Sequence, residues 1–143
     1  MPHVPEHPPA PPERFVCRTA LFDTDWPQPD TAVVAGRGEL DAANGHLFVD
    51  YALRHPDRTR WLIVDFSGLS FFSTAGFSAL HTLNVRCAGD DIRWVLVPGR
   101  AVTRVLRLCD PDAALPVSPD VPSALVAVHD APRQSFELVT EPR

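Results

Sequence analysis

The run Trp61-Leu62-Ile63-Val64-Asp65-Phe66 has a single polar residue in six, and a strand so composed has no face to turn toward water. Such strands belong to parallel sheets covered by helices on both sides. The neighbouring segments supply that cover. Between Ala42 and Arg54 the apolar residues Ala43, Leu47 and Tyr51, flanked by Phe48 and Ala52, recur with a helical period. From about Thr74 to Cys87, Phe77, Leu80, Leu83 and Cys87 do the same. Over Ala101 to Cys109, Val102, Val105, Leu106 and Cys109 fall at i, i+3, i+4 and i+7, opposite Arg100, Arg104 and Arg107.

The remaining segments complete an alternating pattern. Strands are predicted over Phe15 to Phe22, Thr31 to Leu40, Ile92 to Val97 and, briefly, Leu115 to Val117. Trp26-Pro27-Gln28-Pro29-Asp30 reads as a turn. Asp120 can cap a last helix over Ser123 to Val128. The resulting order is β-β-α-β-α-β-α-β-α. It predicts an α/β fold, a four- to five-stranded mostly parallel mixed sheet with a hairpin at its start, covered by about four helices. A chain of 143 residues suits one such domain, placed at 13–130. Residues 1–12 carry Pro2, Pro5, Pro8, Pro9, Pro11 and Pro12 and read as a disordered, Pro-rich tail. Residues 131–143 read as a C-terminal tail, in which Ser135 to Thr140 could add a short edge strand.

Charge and composition exclude several roles. The formal charge is -5, and all 13 basic residues are Arg, which argues against direct binding of nucleic acid. The arginine face at Arg100, Arg104 and Arg107 therefore reads as a solvated one. No apolar run approaches the ~20 residues of a membrane span, and the first residues lack a signal peptide's basic and apolar regions. A cytoplasmic protein without membrane insertion is expected. Cys17, Cys87 and Cys109 are widely spaced, and two of them lie on apolar helix stripes, the setting of buried structural thiols. The six histidines show no ligand spacing, so no metal or cofactor is expected. No nucleophile, base and orienting group share a recognisable spacing, and no Walker-type loop occurs, so the chain reads as a binding module and not as an enzyme.

Two connections hold the informative residues. In Gly36-Arg37-Gly38-Glu39-Leu40-Asp41 the second strand enters the first helix, with Asp41 placed as an N-cap. In Asp65-Phe66-Ser67-Gly68-Leu69-Ser70-Phe71-Phe72-Ser73-Thr74-Ala75-Gly76-Phe77 a loop is expected to lead from the buried strand into the second helix. Hydroxyls at Ser73 and Thr74 stand where that helix begins and where free N–H groups favour an anion. Both connections should emerge at the carboxyl ends of parallel strands, where ligands gather in open sheets.

These residues resemble the STAS family, whose best-known members are bacterial anti-sigma factor antagonists (anti-anti-sigma factors). Gly38-Glu39-Leu40-Asp41 is similar to the family's first signature. Residues 65–77 follow its second, an apolar strand and then Asp-Leu-Ser-x-Val-x-Phe-x-Asp-Ser-Ser/Ala-Gly-Leu. Val97-Pro98 and Val102-x-x-Val105-Leu106 fit its third helical region, so the resemblance spans about residues 15–130. It implies the STAS fold, and a protein that binds an anti-sigma factor of the GHKL serine-kinase type and so regulates sigma-factor-dependent transcription by partner switching. It implies a binding surface at Glu39, Asp41, Ser73, Thr74, Ala75 and Gly76. Antagonists regulated by phosphorylation carry the acceptor Ser or Thr immediately before the conserved Gly. Here that position is Ala75, and the usual preceding acid is Ser73. Thr74 is the nearest hydroxyl and the phosphorylation candidate, although Ser73 and Thr74 also suit simple helix caps. Rival readings are a soluble STAS accessory subunit of a transporter, or a module sensing a small molecule or nucleotide at the same loops.

Overall fold

The computed structural model describes residues 13–130. The expected tails at 1–12 and 131–143, with the edge strand at 135–140, lie outside the described residues. The elements are β1 (Glu13–Cys17), β2 (Ala20–Gln28), β3 (Thr31–Leu40), α1 (Gly45–Ala52), β4 (Trp61–Phe72), α2 (Thr74–Gly89), β5 (Arg93–Val97), α3 (Gly99–Cys109) and α4 (Val121–Asp130). They form one mixed sheet in the order β1-β2-β3-β4-β5. The β1–β2 and β2–β3 pairs are antiparallel, whereas β3–β4 and β4–β5 are parallel.

The apolar run lies where its composition requires. Leu62, Ile63, Val64 and Phe66 are all buried. Because side chains alternate along a strand, Leu62, Val64 and Phe66 enter a core with Phe48 of α1, Leu80 and Leu83 of α2 and Val102 of α3. Ile63 joins Val97 and Ala124 of α4 in a smaller cluster on the other face. Asp120 caps that helix as expected, accepting the Ser123 N–H at 2.8 Å.

Five local expectations are corrected. The strand expected over Phe15 to Phe22 is two strands joined at Arg18-Thr19, with Arg18 in the left-handed region at φ 56°. The extra strand makes the sheet an even mixture of antiparallel and parallel pairs. The turn expected at 26–30 shrinks because β2 continues to Gln28; Pro27, which has no N–H to give, falls where the β2–β3 register slips between Asp25 and Gln28. Helix α1 starts at Gly45 rather than 42, after a turn over Asp41 to Asn44. The loop expected after Phe66 is strand to Phe72, because β3 runs far enough to pair Gly38 with Leu69, Glu39 with Phe71 and Leu40 with Phe72. The short strand at Leu115 to Val117 is one bridge, Leu96 to Val117, flanked by bonds of 2.8 Å from Leu96 N–H to the Pro116 carbonyl and from Ser118 N–H to the Leu96 carbonyl.

Candidate functional site

The site grows from the long β3–β4 ladder. At its end Gly38 adopts φ 90°, and a Cβ there would lie 2.1 Å from the Thr19 carbonyl oxygen. The β1–β2 turn presses on the strand at this point, so only glycine fits. Thr19 also receives the Glu39 N–H at 3.1 Å and donates its hydroxyl to the Glu39 carbonyl at 3.3 Å. The Glu39 side chain is left exposed.

Asp41 is half-buried, and its Oδ1 accepts the Ala43 N–H at 2.9 Å. It thus closes a turn ahead of the helix and does not cap α1 itself. The organiser of this turn is Asn44, which sequence reasoning missed. Asn44 is fully buried. Its Nδ2 donates to the carbonyls of Glu39 (2.9 Å) and Cys17 (3.3 Å), and its Oδ1 accepts the Asp41 N–H (2.9 Å). The Asn44-Gly45 dipeptide was the available signal, since that pair marks turns.

The second connection hangs on the first. The Ser73 N–H donates to the Leu40 carbonyl at 3.1 Å, so the start of α2 is bonded to the residue before Asp41. Ser73 is extended, and its Oγ accepts the Gly76 N–H at 3.2 Å, which makes it the N-cap of α2. Thr74 is exposed, Ala75 half-buried and Gly76 buried. Glu39, Asp41, Ser73, Thr74, Ala75 and Gly76 therefore meet at the carboxyl ends of β3 and β4. Phe71, paired with Glu39, adds an apolar side chain that is 49 % exposed.

A groove of about 310 Å³ opens beside this end, between α1 and α2. Asp41 and Ala75 stand among its lining residues, as do the small Ala42, Gly45 and Ala79. Arg86 and Asp50, ion-paired at 3.0 Å, belong to the same wall. This arrangement offers a fixed backbone edge, two carboxylates and a helix start. It suits recognition of a protein surface.

Cys17 and Cys87 are buried and Cys109 is half-buried. Burial pushes the Cys17 thiol up, and it pushes Cys87 up to about 12, with nearby Asp90 adding to the rise. Both are poor nucleophiles at neutral pH. Among the described residues no group of three or more His, Cys, Asp or Glu could hold a metal ion. No helix among them is long and apolar enough to cross a membrane.

The family model for the STAS domain matches residues 27–124. Osmosensory protein A of Mycobacterium tuberculosis is 36% identical over 111 residues, which cover 75% of this chain and 70% of that protein. Anti-sigma-F factor antagonist RsfA of the same species is 36% identical over 104 residues, 68% of this chain and 80% of RsfA. Among solved structures, an anti-sigma factor antagonist from Mycobacterium paratuberculosis superposes with a TM-score of 0.67. It covers 78% of this chain and 95% of that one at 23% identity, a likeness of fold.

Proposed function

The chain belongs to the STAS domain family, and from that premise we propose that it is an anti-sigma factor antagonist. It binds an anti-sigma factor and thereby frees a sigma factor to direct transcription. The observation that carries this reading is the bond from Ser73 N–H to the Leu40 carbonyl. It holds the Asp41 turn and the start of α2 side by side as one preorganised surface, and preorganisation lowers the cost of binding. The 36% identity with a protein named as an anti-sigma-F factor antagonist supports the same assignment.

In this reading Glu39, Asp41, Ser73, Thr74, Ala75 and Gly76 form the contact surface, and the partner is a GHKL-type serine kinase in the cytoplasm. Activity is binding alone, with no catalytic group and no cofactor on this chain. Ala75 occupies the position where antagonists regulated by phosphorylation carry their acceptor. Thr74 is the remaining candidate, and we read the chain as an antagonist that has lost the usual acceptor.

Affinity capture from the source cells tests the assignment, with the parent chain and Asp41→Arg compared side by side. Retention of a GHKL-type kinase by the parent and its loss from Asp41→Arg is the expected result. Retention of a transporter, or of a nucleotide and no protein, would replace this reading with one of the rival functions.

A further inference from the structure

Several arginines of this chain are held by partners within the fold. Arg14 pairs with Asp23 at 3.1 Å, Arg86 with Asp50 at 3.0 Å, and Arg54 with Glu13. Arg58 lies over the Trp26 ring at 3.7 Å and donates to the Pro29 carbonyl. Arg100, Arg104 and Arg107 are exposed, and among the described residues no ion pair or hydrogen bond engages their side chains. All three line one cleft of about 520 Å³, walled by Pro98 and Pro119. Their spacing of four and then three residues keeps them on one face of α3, over about 10 Å of its axis.

We propose that this cleft is a second docking site, which takes a short acidic peptide segment of a partner protein. Its chemistry is one-sided. The Thr103 hydroxyl, the other polar side chain among the lining residues, donates its proton to the Gly99 carbonyl at 2.6 Å. What faces the cleft is therefore guanidinium, which only donates, and the matching ligand only accepts: a carboxylate. The three like charges repel one another along the helix, and a bound acid relieves that repulsion. An extended peptide rises about 3.3 Å per residue, so carboxylates two residues apart span most of the stripe.

A long polyanion fits less well. The chain carries a net charge of -5. The stripe also ends in acids, since α3 runs into Asp110 and Pro119 is followed by Asp120. A nucleic acid tracking the arginines meets those carboxylates, whereas a short segment stops before them. The cleft shares no lining residue with the Asp41 and Thr74 surface, and the proposal stands or falls separately from the antagonist reading.

NMR titration of the isotope-labelled full chain with an octa-glutamate peptide tests it, with octa-glutamine as the neutral control. Saturable shifts at the amides of Gly99 to Arg107, absent with octa-glutamine and weakening as salt is raised, are expected. Three exposed charge pairs together set a loss of roughly ten-fold in affinity for the Arg100→Gln, Arg104→Gln, Arg107→Gln variant. Should that variant lose its folded spectrum, Arg104→Glu alone serves, with an expected loss of roughly three-fold. Unchanged binding by the variants, or shifts centred on Arg18, Arg37 or Arg60, would overturn the proposal. A single-stranded oligonucleotide of equal charge that bound through the same amides at least as tightly would replace the peptide with a nucleic acid.

Discussion

The ring of Phe72 lies so close to Gly76 that a Cβ built on the glycine would sit 2.6 Å from Phe72 Cε1. Phe72 is the last residue of β4 and is buried, while Gly76 is in the first turn of α2. The step from strand to helix is thereby fixed at both ends, with Ser73, Thr74 and Ala75 held between them at the surface.

Gly76→Ala should therefore destabilise, although alanine is the better helix former by about 1 kcal/mol. Overpacking a closed core costs about 1–3 kcal/mol, and the buried ring has little room to swing. The expected net loss of about 1 kcal/mol appears as a fall of about 3–6 °C in Tm. A melting curve as stable as the parent's would show that the ring relocates freely.

Asn44→Ala removes the side chain that ties Glu39, Cys17 and Asp41 together. The Cys17 carbonyl and the Asp41 N–H lose these bonds, and stranded buried groups cost about 1–3 kcal/mol each. A loss of about 2 kcal/mol in urea unfolding is expected, together with weaker partner binding because the Asp41 turn is no longer held. Asn44→Asp should fare no better, since a carboxylate cannot donate to the two carbonyls.

The sequence signal was strongest where burial dictated composition. Trp61 to Phe66 announced a strand covered on both faces, and Val102, Val105 and Leu106 announced the inner side of α3. Ser73 and Thr74 marked the start of α2, because a hydroxyl before a helical period is a local signal. What escaped was set by tertiary contact. The Arg18-Thr19 turn contains neither Gly nor Pro, and Arg18 takes a positive φ only because β1 and β2 pair on either side of it. Residues 67–72 look like a loop in isolation and become strand because β3 offers them a partner. Asn44 was invisible as an organiser because two of its three partners, Cys17 and Glu39, are brought to it by the fold.

The cysteines give the chain an alkaline limit. An unfolded Cys87 thiol ionises near 9.0, whereas the folded one, held in an apolar site, does so at about 12. Below pH 9.0 both states keep the proton and the stabilisation is fully present. As pH rises from there toward about 12, only the unfolded state releases it, and stability falls by about 1.4 kcal/mol per pH unit. The raised Cys17 value acts in the same direction. Urea midpoints at a series of alkaline pH values check this. Cys87→Ala, less stable throughout for its lost packing, should show a shallower decline. Under native conditions a thiol reagent should modify half-buried Cys109 first.

The last prediction concerns the proposed loss of the phosphate acceptor at the start of α2. Thr74 is exposed at the first position of the helix, where an added negative charge meets free N–H groups and the positive end of the dipole. Thr74→Glu should therefore fold at least as well as the parent, so any loss of partner binding reports on the surface alone. The new charge alters the proposed contact face, which includes Asp41 and Glu39, and a loss of roughly ten-fold in affinity for the anti-sigma factor is expected. Thr74→Ala should bind as the parent does. Phosphate transfer is the sharper measurement. One residue along a helix swings a side chain by about 100°, so a kinase aligned on position 75 meets the Thr74 hydroxyl out of line. Mass spectrometry after incubation with the kinase and ATP should then find the parent unmodified and Ala75→Ser modified at position 75. Phosphate on Thr74 of the parent would show instead that the switch survives, displaced by one residue. An unmodified Ala75→Ser that still binds the kinase would mean that the lost hydroxyl is not what separates this chain from a phosphorylated antagonist.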